Sequence, residues 1–226
     1  MTAPAPLRLI AAGLLLLLAG CTSPDSRWTD IGPVYTPTNV RGPAVWPAAV
    51  RRVAVLPAHD ASVLLTPEFT ARYDGIWNRA LNHTQRAEFV GVSRVNLSAW
   101  TGSETLASTA LLPSNLLGRV ARETGAQAVL FLDLTHCTPY PPLALSFRAR
   151  LVDVATGETL WMADEQFDAS TDPTARAARR YARGNSSGTG DQTEGVLLSP
   201  ARFADYAFQA VTALLPPHVA IVAKPH

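Results

Sequence analysis

The run from Ala126 to Phe167 constrains the fold more than any other stretch. It reads as three consecutive strands: Ala128, Leu130, Leu132 and Leu134 recur at period two, and so do Leu143, Leu145, Phe147, Ala149 and Leu151. Ser146, Arg148 and Arg150 fall on the opposite face of the second strand, so one face is core and the other at least partly wet. Ala155-Thr156-Gly157 is a short loop with glycine where a left-handed backbone is needed, which predicts an antiparallel hairpin and sets its register. Trp161 lands near the start of the third strand, and the prolines of Thr138 to Pro142 put that break at the end of the sheet.

The amino terminus carries a different signal. Arg8 precedes the apolar run Leu9 to Leu18, and Leu18-Ala19-Gly20-Cys21 follows. The run is too short to span a bilayer as a stable helix, and small residues before a cysteine suit a signal peptidase. Residues 1–20 are therefore expected to be a lipoprotein signal peptide, cleaved ahead of a lipidated Cys21. Acyl chains burying many methylenes make such an anchor effectively permanent. Thr22 rather than aspartate follows the cysteine, which by resemblance to bacterial lipoproteins favours the outer membrane, facing the periplasm. Without Arg8 the 19 basic residues become 18, against 18 acidic ones. A chain with no net charge is a poor partner for nucleic acid. With Cys21 consumed, Cys137 stands alone, so no disulfide within the chain staples the fold.

Residues 21–49 contain Pro24, Pro33, Pro37, Pro43 and Pro47 and read as an extended tether, reaching on the order of 85 Å if fully drawn out. Trp28, Tyr35 and Trp46 interrupt it, either as recognition anchors or folded back on the domain. Residues 50–226 are expected to form one α/β (α+β) domain with the order β-α-β-α-β-β-β-α, a mixed sheet with helices packed on it. Arg51 to Pro57 reads as a strand covered on both sides. Thr66-Pro67-Glu68 starts a helix with the stripe Phe69, Tyr73, Ile76, Trp77, Ala80 and Leu81. Glu88 to Val95 alternates as a strand, and Ser114 is expected to cap a helix bearing Leu116, Leu117, Val120 and Ala121, closed by Gly125. Residues 168–198 read as a polar insertion holding a helix from Asp172 and a Ser- and Gly-rich run. Ser199-Pro200 starts a last helix with Phe203, Ala207, Ala210, Val211 and Leu214 inward, and the tail Val219 to Val222 either adds an edge strand or lies on the core.

Three segments, Arg52 to Pro57, Thr124 to Leu130 and Arg150 to Trp161, resemble those of a group of bacterial envelope proteins. The group comprises the curli-secretion channel lipoprotein, the lipoprotein activators of penicillin-binding proteins and the amino-terminal domain of TolB. The resemblance covers about Arg51 to Phe167 plus the last helix and implies a fold, not a reaction. The chain departs from a pore-forming member, because no long alternating segments are available for a membrane hairpin.

Candidate chemistry is sparse. Gly184-Asn185-Ser186-Ser187-Gly188 has the letters of a nucleophile elbow without a strand before it. His59-Asp60 follows the first strand, where open α/β sheets often bind ligands. Asp133 and Cys137 share a face of one strand while His136 points away, so the three form no metal site unless a bulge intervenes. Arg176, Arg179, Arg180 and Arg183 share or border one helical face with only Asp172 close by, and are expected to dock an acidic partner or lipid headgroups. No cofactor motif is present. The expectation is a non-enzymatic accessory lipoprotein serving a protein partner in secretion, trafficking or wall synthesis. The alternatives are an envelope hydrolase using His59 and Asp60, or a glycan-binding lipoprotein.

Overall fold

The computed structural model describes residues 31–62, 65–185 and 191–218. The Cys21 lipobox, the Ser186 motif and the Val219 to Val222 tail lie outside them. From Val34 onward the described residues make up one compact unit. Its strands are β1 (Val40–Arg41), β2 (Arg52–Val55), β3 (His59–Asp60), β4 (Glu88–Gly91), β5 (Ala128–Thr138), β6 (Ala144–Asp153) and β7 (Thr159–Asp168). They form one open mixed sheet in the order β1-β7-β6-β5-β2-β4, with β3 added beside β5. The expected meander is there: β5, β6 and β7 pair antiparallel, and Gly157 takes a φ of 73° between β6 and β7.

The parallel part is built by two crossovers on opposite faces. β2 pairs in parallel with both β4 and β5. Helix α1 (Pro67–His83) connects β2 to β4, with the Thr66 hydroxyl accepting from Phe69 N at its start. Its Tyr73, Ile76, Trp77, Ala80 and Leu81 are buried against Val53, Val55, Leu130 and Leu132. The return from β4 to β5 runs over the other face through α2 (Arg94–Thr101) and α3 (Leu116–Thr124). There Leu97, Leu116 and Val120 cover Ala54, Leu56, Val129 and Phe131. β5 is consequently buried on both faces from Ala128 to Leu134, wetter only beyond that, whereas β6 alternates as expected.

Several boundaries differ from the sequence reading, each for a local reason. The strand from Glu88 stops at Gly91, because Ser93 accepts from Asn96 N and starts α2. α3 begins after Asn115 rather than Ser114 and makes no side-chain cap, while Gly125 closes it at a φ of 69°. Leu214, expected inward, lies past the end of the last helix and is exposed. The polar insertion expected over 168–198 contributes side chains to the core on both sides of residues 186–190. Helix α4 (Asp172–Asn185) buries Thr174, Ala175, Ala177 and Ala178, and Val196 is buried after the short helix α5 (Asp191–Glu194). The last helix, α6 (Pro200–Thr212), adds Phe203, Phe208 and Val211 to the same side of the sheet as α1.

The reading of 21–49 as tether also fails from Val34 onward. Tyr35 N donates to Pro173 O at 3.0 Å, β1 pairs antiparallel with β7, and Trp46 N donates to Pro217 O at 2.9 Å. Tyr35 and Trp46 thus fold back on the domain, Trp46 being only 3% exposed. The prolines at 37, 43 and 47 are compatible with a strap lying along a sheet edge, where few ladder hydrogen bonds are asked of them. Glu165, buried on β7, accepts from Asn39 N at 2.5 Å and from the Tyr35 hydroxyl. Burial, reinforced by that carboxylate, raises the Tyr35 pKa.

Candidate functional site

The bulge on β5 rearranges the first set of candidates. The β5–β6 register shifts between Leu134 and His136, so Asp133 pairs with Arg148 and His136 with Ser146, while Cys137 pairs with Leu145. Asp133 and His136 therefore share a face and Cys137 takes the opposite one, the reverse of the reading from strict alternation. Cys137 lies 3.3 Å from the Tyr73 hydroxyl under α1, and burial pushes its thiol pKa up. His136 is exposed, with Nε2 3.1 Å from Thr138 Oγ1. Asp133 is buried and accepts from Ser108 N at 2.9 Å and from the Ser108 hydroxyl. Among the described residues no group of three or more His, Cys, Asp or Glu is placed to hold a metal ion.

His59 and Asp60 do not act as a pair. His59 is in register with Asp133 and Asp60 with Leu134, so their side chains leave opposite faces of β3. The Asp60 carboxylate accepts from Ser62 N at 3.0 Å and from Leu65 N, just ahead of α1, at 2.8 Å. His59 Nδ1 is 3.1 Å from Thr105 Oγ1 instead. An open cleft of about 280 Å³ wraps this strand end, bordered by Arg94, Ser103 and Glu104. Within it Arg94 Nη2 donates to Asp74 Oδ2 at 2.7 Å, and Ala58 N donates to Asp74 Oδ1 at 2.6 Å.

Burial raises the Asp74 pKa, against the lowering effects of the Ala58 N–H and the Arg94 guanidinium. A carboxyl whose folded pKa exceeds its unfolded value contributes stability that is complete below the unfolded pKa and lost as pH rises through the folded one. Arg94→Gln removes a lowering influence and widens that gap. The variant is expected to be about 1–3 kcal/mol less stable than the parent near neutral pH, below the cost of a fully buried pair because both side chains keep some solvent. The deficit should shrink towards pH 4 as Asp74 protonates. Urea titrations of both proteins at the two pH values measure this, and an equal deficit at both would rule the account out.

The four arginines of α4 are not equivalent. Arg176 Nη1 is 3.5 Å from Asp172 Oδ2, and Arg179 Nε donates to Glu194 Oε1 at 2.7 Å, both arginines being largely shielded. Two of the four arginines expected to dock an acidic partner or lipid headgroups are thus already paired within the domain. The sequence offered no sign of the Arg179 pair, because Glu194 lies 15 positions away. Arg180 and Arg183 are exposed. The same helical layer holds three further arginines that sequence reasoning passed over. Arg72 and Arg79 on α1 and Arg202 on α6 border one cleft between the two helices, with Gly75, Ile76, Ala201 and Asp205. Their signal was the seven-residue spacing of Arg72 and Arg79, which puts both on one side of α1.

No protein-family model and no curated protein sequence matches this chain. Solved structures do. The PelC dodecamer from Paraburkholderia phytofirmans is 18% identical, covering 75% of this chain and 96% of that one, with a TM-score of 0.40. Lipoprotein GNA1162 from Neisseria meningitidis is 18% identical over 52% of this chain and 79% of that one, with a TM-score of 0.36. The LpoB C-terminal domain from Salmonella enterica is 23% identical over 52% of this chain and 82% of that one, with a TM-score of 0.34.

Proposed function

We propose that this chain is a non-enzymatic accessory lipoprotein of the bacterial envelope, anchored through Cys21 at the outer membrane and presenting its α/β domain to a protein partner in the periplasm. The observation that carries the reading is the strap. The lipobox Leu18-Ala19-Gly20-Cys21 is followed by only 12 residues before Val34, and the next residue, Tyr35, is already hydrogen-bonded to Pro173. At about 3.1 Å per residue those 12 reach on the order of 40 Å at most, half of what a tether to Ala49 would allow. A partner of this domain therefore works close to the membrane. The hydrolase alternative loses its motivation because His59 and Asp60 diverge.

The α4 arginines remain the proposed partner face, carried by the exposed Arg180 and Arg183, with Arg176 paired to Asp172 within the helix and Arg179 tying the helix to Glu194 beside them. Cys21→Ser is expected to abolish incorporation of labelled palmitate and to move the protein out of the membrane fraction. Membrane labelling that persists in that variant would refute the anchor. Crosslinking in the periplasm followed by mass spectrometry identifies the partner.

A further inference from the structure

We infer that the cleft between α1 and α6 binds an acidic, extended peptide segment of the partner, through Arg72, Arg79 and Arg202. The inference rests on the reading that the partner is a protein. Arg72 and Arg202 make no ion pair among the described residues, and Arg79 has only Asp205, with Nε 3.8 Å from Oδ1. Asp205 is itself engaged elsewhere, its Oδ2 accepting from the Tyr181 hydroxyl of α4 at 2.7 Å. Three arginines and one carboxylate thus border a cleft of about 350 Å³. Guanidinium forks left this way favour an added carboxylate, which can be bound bidentately.

The shape argues for a peptide. Arg72 and Arg79 are two helical turns apart, roughly 10 Å along α1. A polyproline II-like chain rises about 3.1 Å per residue with three residues per turn, so carboxylates at positions i and i+3 lie on one side, roughly 9 Å apart, and meet both arginines. Between them the rim offers Ala201, and at Gly75 a side chain is missing where nothing else lies within 4 Å. An apolar residue between the two acids fits there. A flat bilayer surface meets the arginines without filling this concavity. The cleft also joins the α4 face: Arg202 Nη1 lies against Gly195, where an added Cβ would come within 2.8 Å of it, next to the Glu194 that holds Arg179.

The test is selection of a phage-displayed random dodecapeptide library on the chain from Thr22 onward, which keeps the whole Val34–His226 unit. The parent is expected to enrich peptides with paired acidic residues. The triple variant Arg72→Gln, Arg79→Gln, Arg202→Gln should bind the winning peptide about tenfold or more weakly. Its melting temperature should stay within about two degrees, since all three side chains are at the surface. Raising salt should weaken parental binding further. Selection of the same peptides by parent and variant, or selection without acidic enrichment, overturns the inference. So does a triple variant that loses sedimentation with phosphatidylglycerol vesicles while peptide binding is unchanged, which would assign the arginines to the membrane. None of these results depends on Cys21, so the anchor and the cleft fail separately.

Discussion

Trp161→Ala is expected to lower the stability of the domain by about 3–5 kcal/mol, the range for deleting a large aromatic side chain from a core. Trp161 is 2% exposed on β7 and belongs to the cluster that α1 and α6 also enter. Its cover is not helical alone. The strap lies against the indole at Gly42, where a Cβ would come within 2.7 Å of Trp161 Cδ1. That closeness makes a second variant informative. Gly42→Ala forces the strap or the indole to move, at a cost of about 1–3 kcal/mol for overpacking. With Trp161 already removed there is nothing for the new methyl to strike, so the double variant should cost less than the two single changes summed. Thermal and urea unfolding of the four proteins measure the cycle. Strict additivity would mean that the strap does not rest on Trp161, and a melting temperature unchanged in Trp161→Ala would mean that the faces of β7 are reversed.

What could be read ahead of the structure follows from which interactions leave a local trace. β6 is buried on one face and wet on the other, so period two survives in its composition, and Arg148 faces Asp164 across the wet side at 2.7 Å. The stripe of α1 is legible because its buried positions are large. α4 is the contrary case. Its buried positions are Ala175, Ala177, Ala178 and Thr174, too small to register as a stripe beside four arginines, and so it looked like a solvated insertion. α2 escaped notice because Leu97 is its one buried side chain. The strap is proline-rich, as a tether is. What distinguishes it is the fit of Trp46 and Tyr35 to residues 130 to 171 positions away, and no local pattern encodes that. The bulge at Thr135 is likewise invisible, since period two continues on each side of it, but it decides which face His136 and Cys137 occupy.

Asp133 shows how such a residue is better understood once its neighbours are known. It is 2% exposed, and its carboxylate takes Ser108 N at 2.9 Å and the Ser108 hydroxyl, while Arg150 Nη1 donates to Ser108 O at 2.8 Å. Three polar groups of one loop residue are thus satisfied by two strands, and the connection from α2 to α3 is pinned to the sheet at that point. Asp133→Ala leaves the Ser108 N–H and hydroxyl without their acceptor in a buried place, and the expected loss is about 2–4 kcal/mol. Asp133→Asn keeps the shape and one acceptor, and should lose about half as much. The same connection carries Leu111, which is 99% exposed, and Thr105, which meets His59. Freed of its clamp, it should become a substrate for chymotrypsin within residues 103–115, at an enzyme concentration that leaves the parent whole. Cleavage there in Asp133→Ala, with less in Asp133→Asn, would establish the clamp. Equal resistance in all three proteins would mean that the cover over β5 is held by Leu97, Leu116 and Val120 without help from the carboxylate.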